Sequence, residues 1–167
     1  MKYRGKKIEG RNVVTLVIPR PDGPIGFIME AVEDFDHFDN LCPAPEPPEI
    51  LRPGGVREKN TTDPDFLKRV DAYAEARSHY MTITSLKATT DLEWDTVDYD
   101  DPATWKNWTT EMKESGFTDI EMGHVVRHVA KANCLDQDML DEARTSFLLD
   151  LARQKESTSQ TVEQPTT

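Results

Sequence analysis

The sequence predicts a mainly α protein with a small N-terminal β-hairpin (α+β), built as a compact helical domain of about four to five helices. Three observations carry this prediction. Residues 13–18 and 25–32 are apolar runs rich in β-branched side chains, joined by Pro21-Asp22-Gly23-Pro24 turn chemistry. Asp63-Pro64 opens a long stretch with apolar residues at helical spacing. Further start signals follow at Asp101-Pro102, Thr118 and Asp136. The expected organisation is a hairpin and short helix over residues 1–42, a Pro/Gly-rich connector over 43–62, a helical domain over 63–154 and a disordered tail over 155–167.

The hairpin alone buries too little and must pack on something else. Phe35, Phe38 and Leu41 stand at three-residue spacing and predict a short helix that ends at Cys42-Pro43. From there to residue 62 the prolines and the Gly54-Gly55 pair remove backbone donors, so neither a helix nor a core strand is expected. The helix from Asp63-Pro64 runs to about Lys87, and its expected buried face is Phe66, Val70, Tyr73, Ala74, Tyr80 and Met81, widened by Ile83 and Leu86. Asp101-Pro102 repeats the start signal and predicts a helix with Trp105, Trp108 and Met112 on one face, stopped by Ser115-Gly116. Thr118 and Glu121 fit a capping box, opening a helix that carries Met122, Val125, Val126, Val129 and Ala130 inward and ends near Asn133. Asp136 caps a last helix with the stripe Leu140, Ala143, Phe147, Leu148 and Leu151. After Arg153 apolar periodicity ceases, which predicts disorder over 156–167.

Composition excludes several function classes. Asp and Glu outnumber Lys and Arg by 31 to 20 in 167 residues, a formal net charge of −11. That field repels phosphate backbones and anionic membrane surfaces, so neither nucleic acid nor a membrane is an expected partner. A basic or mixed-charge protein segment fits better. No apolar run approaches the roughly 18 residues that span a bilayer, and the N-terminus lacks the hydrophobic segment of a signal peptide. Cys42 and Cys134 stand far apart beside apolar residues or proline, the usual setting of small buried thiols, and are expected reduced.

The candidates for chemistry fail on geometry. His124 and His128 at i, i+4 with Glu121 one turn earlier share a helix face that can chelate a metal, but this face lies opposite the apolar stripe and is expected to meet water. Their order also differs from His-Glu-x-x-His, where the Glu stands between the ligands. Asp98, Asp100 and Asp101 resemble the start of a calcium loop, yet Pro102 and Ala103 replace its turn and Thr109 occupies the position of its closing Glu. Gly54-Gly55 lacks the strand and lysine of a phosphate loop, and neither cysteine has a histidine nearby in sequence. No catalytic, cofactor-binding or metal-binding residue is therefore expected, and no enzyme.

Between Asp91 and Glu121 stand ten acidic residues against two basic ones, Lys106 and Lys113, together with all three tryptophans. Such a segment can steer a basic partner and anchor it on indole rings. Trp105 and Trp108, at helical spacing, are expected as core residues filling the gap between the long helix and the C-terminal pair, Trp94 suits either place, and the acids equally suit solubility. The candidate partner-binding residues are Trp94, Asp98, Asp100, Asp101, Trp105, Trp108, Met112 and Phe147.

Several motifs resemble one family. They are the opening Tyr3, Arg4, Gly5, Lys6 and Lys7; the proline run from Phe38 to Pro48; Leu-Glu-Trp-Asp-Thr-Val-Asp at 92–98; Asp-Pro-Ala-Thr-Trp at 101–105; Glu-Ser-Gly-Phe at 114–117; Asn-Cys-Leu-Asp at 133–136; and Glu-Ala-Arg-Thr-Ser-Phe at 142–147. From Tyr3 to about Leu148 the chain resembles the tail assembly chaperones encoded by long-tailed bacteriophages and prophages. The resemblance implies a non-enzymatic protein that keeps the long tape measure protein soluble, helps recruit tail tube subunits in the host bacterial cytoplasm, and leaves before the virion matures. It also implies a longer form made by ribosomal frameshifting. The alternatives are a structural head-tail or tail component of the virion, and an acidic viral inhibitor that mimics DNA.

Overall fold

The computed structural model describes residues 1–160, and the expected tail beyond residue 160 lies outside them. Two compact units divide the chain, Met1–Asn133 and Cys134–Thr167. The fold is mainly helical α+β, with five helices among the described residues and small antiparallel strand pairs towards the N-terminus.

In the first unit, β3 (Val13–Ile18) and β4 (Ile25–Glu30) form the predicted hairpin, with Val14 opposite Met29 and Leu16 opposite Phe27. Side chains alternate across the sheet, so Leu16, Ile18, Phe27 and Met29 are buried while Val13, Val17 and Ile28 are exposed. Two hairpins went unforeseen. β1 (Lys2–Tyr3) and β2 (Lys6–Lys7) are joined through Arg4 and Gly5, both at positive φ, and β5 (Glu49–Leu51) and β6 (Arg57–Lys59) turn through Gly54 and Gly55 at φ 98° and 79°. Both are almost wholly exposed, so the connector holds a surface hairpin and no core strand. The glycines mark the turn because left-handed backbone is open to them without steric cost.

Helix α1 (Asp36–Leu41) inserts Phe38 into the core. Helix α2 (Pro64–Leu86) starts as predicted, with the Asp63 carboxylate accepting from Phe66 N–H at 2.8 Å. Its buried residues, however, begin only at Tyr80; Phe66, Val70 and Tyr73 are half-buried and Ala74 is exposed. A helix of 23 residues is about 34 Å long, whereas a six-residue strand offers only about 20 Å to pack against, so the first turns of α2 outrun the core. Asp101-Pro102 does not open a helix. Turns occupy 102–106, and α3 begins later (Asn107–Glu114). Helix α4 (Asp119–Ala132) has the predicted capping box of Thr118 and Glu121 and buries Met122, Val125, Val129 and Ala132. Val126, expected inward, is 44% exposed, because it lies about 80° round the helix from the centre of the stripe formed by Met122, Val125, Val129 and Ala132.

These elements share one cluster, in which the inner face of β3–β4 meets Phe38, the last turns of α2, Trp105, Trp108, Met112 and the buried stripe of α4. Polar ties fix the assembly at its rim. Asn12 Nδ2 donates to the carbonyls of Lys131 and Ala132, each at 3.0 Å, beyond one end of β3. Arg20 clamps Glu121 beyond the other.

The second unit is helix α5 (Gln137–Gln160), begun by Asp136 accepting from Met139 N–H at 3.1 Å. It continues past Arg153 into the region expected to be disordered, since Lys, Glu and Gln there carry adequate intrinsic helix propensity without any apolar stripe. Leu140, Phe147 and Leu148 on its stripe are 40%, 44% and 52% exposed. Neither cysteine is a buried thiol. Cys42 is half-buried, its pKa raised by burial, and Cys134 is exposed with a left-handed φ of 56° just after the end of α4.

Candidate protein-binding surface

The acidic aromatic segment is an ordered loop held by its own carboxylates. Asp98 Oδ1 accepts from Asp100 N–H at 2.9 Å and Asp101 Oδ1 from Ala103 N–H at 3.0 Å, each closing a turn two residues on. The Thr104 hydroxyl lies 2.9 Å from the carbonyl of Asp98 and 2.8 Å from that of Asp101. It thereby binds the loop to itself where a helix would otherwise begin. Asp100 also lies 3.1 Å from His37 Nε2. All three aspartates remain exposed.

The tryptophans divide differently from the expected binding set. Trp105 is fully enclosed, and Trp108 and Met112 are 4% and 3% exposed. Trp105 Nε1 donates to the Tyr99 carbonyl at 3.1 Å and Trp108 Nε1 to His79 Nδ1 at 3.0 Å, so both indole donors are satisfied inside the protein. This corrects the reading of Trp105, Trp108 and Met112 as partner contacts, because they fill the space between α2 and α4. Trp94 alone stays half-exposed. It lines a cleft of about 230 Å³ whose apolar floor is Phe27, Met112 and Phe117 and whose rim carries Glu93, Asp95 and Glu114.

Glu111, which also lines the cleft, anchors the loop beside it. Its carboxylate accepts from Asp95 N–H at 2.8 Å, Thr96 N–H at 2.7 Å and the Thr96 hydroxyl at 2.6 Å. Burial pushes its pKa up, but those hydrogen bonds outweigh burial and leave it below the usual carboxylate value. Beneath the loop, Lys87 Nζ sits 3.6 Å from the centre of the Tyr99 ring. Its pKa is lowered, chiefly by burial. An apolar floor with an acidic rim suits the aliphatic stem and charged head of a lysine or arginine.

The helical His124 and His128 do not join a metal site. His128 Nδ1 is 2.7 Å from the His124 carbonyl, and Glu121 is committed to Arg20 and to the Thr118 cap. No cluster of three metal-ligating side chains occurs among the described residues. The Arg20–Glu121 pair, with the Arg20 guanidinium 4.5 Å from the Phe117 ring centre, joins residues 101 positions apart and has no signature in the sequence. The Arg20 side chain, with the Thr118 cap, pulls the Glu121 pKa from 4.5 down to about 2. A carboxylate with a depressed folded pKa stabilises fully above its unfolded value and loses that contribution as pH falls. Stability is therefore expected to drop between about pH 4.5 and about pH 2. Glu121→Gln, which keeps a capping side chain, should flatten that limb in acid titrations followed by circular dichroism.

Helix α5 supplies the other exposed apolar surface. Leu140, Ala143, Phe147 and Leu151 recur at helical spacing with Asp141 and Asp150 beside them. No helix among the described residues is long and apolar enough to cross a membrane. No protein-family model matches the chain, and neither a curated protein nor a solved structure matches it.

Proposed function

We propose that this chain is a non-enzymatic tail assembly chaperone of a long-tailed bacteriophage, acting in the host cytoplasm to hold the tape measure protein soluble and to help recruit tail tube subunits. The observation that carries this reading is α5, a helix with Leu140, Phe147 and Leu148 exposed beside acidic residues. A long amphipathic client offers helical segments whose apolar stripes fit such a face, and the acidic flanks favour clients with basic edges. The resemblance of residues 3–148 to that family supplies the client's identity. The cleft at Trp94, with Asp98, Asp100 and Asp101 on the same loop, is the second contact surface in this proposal. The net charge of −11 keeps a loaded complex dissolved.

Co-expression with the tape measure protein of the same phage tests the reading. The intact chain should raise the soluble fraction of the client and co-purify with it. Serine at Leu140, Phe147 and Leu148 together should cut recovery on the order of tenfold, equivalent to about 1.4 kcal/mol, while leaving the first unit folded. Reversing Asp98, Asp100 and Asp101 to lysine should weaken capture in a salt-dependent way. Capture unchanged by both sets of substitutions would remove the chaperone reading. Mass spectrometry of purified virions should lack the chain; stoichiometric amounts there would make it a structural component.

A further inference from the structure

In the β3–β4 register, Asn12 C=O accepts from Ala31 N–H at 2.9 Å, and the inward-bonding residues then alternate along the strand. Val13, Thr15 and Val17 thus direct their N–H and C=O groups away from β4, as Ile28 does on the opposite edge. The edge of β4 is capped at its centre. Thr89 Oγ1 accepts from Ile28 N–H at 2.8 Å and donates to Ile28 C=O at 2.9 Å, standing in for a neighbouring strand. Among the described residues no corresponding group meets Thr15 on the edge of β3.

That edge also lacks the usual protection. Residues 13–18 read Val-Val-Thr-Leu-Val-Ile, with no charge, proline or glycine, and Val13 and Val17 are 52% and 58% exposed. Natural edge strands are guarded by lysine, proline or a bulge, and an unguarded six-residue β-branched strand pairs with whatever strand it meets.

We propose that β3 pairs edge to edge, antiparallel, with β3 of a second copy of this chain, about a two-fold axis at Thr15, joining two hairpins into one four-stranded sheet. A two-fold pairing at Thr15 sets Thr15 against its own copy and Val13 against Val17 of the other chain, so the edge is self-complementary. The net charge of −11 on each copy opposes their approach, but the seam itself brings no like charges into contact. The two chains meet along a neutral strip, while the flanking Arg11 is already engaged by Glu30 and Arg20 by Glu121. A foreign strand would find only Thr15 as a polar side chain on the outer face of β3 with which to read its sequence.

Light scattering and sedimentation equilibrium of the full chain, without client, test the pairing independently of the chaperone reading. The intact chain should be a dimer. Val17→Lys, at an exposed position, should keep the helical circular dichroism and unfolding midpoint and weaken dimerisation at least tenfold. Adding Val13→Glu to Val17→Lys places a carboxylate opposite each ammonium in this register and should restore the dimer. A monomeric intact chain, a dimer indifferent to Val17→Lys, or a double variant that stays monomeric would overturn the proposal. A monomeric intact chain whose client capture is lost in Val17→Lys would assign the edge to a foreign strand instead.

Discussion

Trp105→Ala is expected to destabilise the first unit by about 3–5 kcal/mol, the cost of removing a fully buried aromatic ring that its neighbours cannot replace. Trp105 is fully enclosed, its ring centre 4.9 Å from that of Tyr80 and 5.7 Å from that of Phe38. Phe38 in turn packs on Tyr73 at 5.2 Å and Tyr80 at 5.6 Å, so one deletion opens a cavity beside α1, α2 and the acidic loop together. The Nε1 bond to Tyr99 C=O is lost as well, loosening the loop that carries Asp98 and Asp100. Against a typical domain stability of about 5–15 kcal/mol, such a loss is a large share. Urea unfolding followed by far-ultraviolet circular dichroism should show the midpoint fall sharply. Trp105→Phe keeps most of the ring contacts and should cost less. Trp94→Ala, at a half-exposed ring, should cost less still; equal losses at 94 and 105 would show that burial does not set their roles.

What the sequence made legible was local. Asp63-Pro64 and the Thr118–Glu121 box were readable because a cap is decided within four residues, and the β3–β4 hairpin because alternation and turn chemistry lie side by side. Asp101-Pro102 shows the limit of that logic. It carries the same two residues as Asp63-Pro64, but Thr104 binds the carbonyl of Asp98 and the indole of Trp105 reaches Tyr99, and these ties favour turns over a first helical turn. Periodicity placed Val126 and the α5 stripe on apolar faces without saying what, if anything, covers them. A pattern reports a face, whereas burial depends on neighbours distant in sequence. The Arg20–Glu121 clamp, the Thr89 cap on β4 and the three-way role of Asn133 were invisible for the same reason. In the candidate surface, Trp94 and the three aspartates were singled out by composition, while Glu111, which ties down Asp95 and Thr96 between them, looked like one helical carboxylate among many.

Asn133→Ala should be the second most damaging single change, at about 2–4 kcal/mol, because three groups lose their partner at once. The Asn133 carbonyl oxygen accepts from Val32 N–H at 2.8 Å, while its amide donates to Ser85 Oγ at 2.9 Å and to Val129 C=O at 2.8 Å. One side chain thereby ties the exit of the hairpin, the buried end of α2 and the last turn of α4. Ser85 is 1% exposed, so water does not readily replace the lost bond there. Asn133→Asp separates the contributions. Its carboxylate can still accept from Val32 N–H, and the Ser85 hydroxyl can turn to donate to it, but as an anion it faces the Val129 carbonyl with no proton to share. A protonated acid can donate there, so the aspartate variant should regain part of its stability as pH falls through the carboxyl pKa, while the alanine variant gains nothing over the same range. Chemical denaturation of both variants across that range measures the difference, and parallel pH profiles would show that shape and not hydrogen bonding makes position 133 matter.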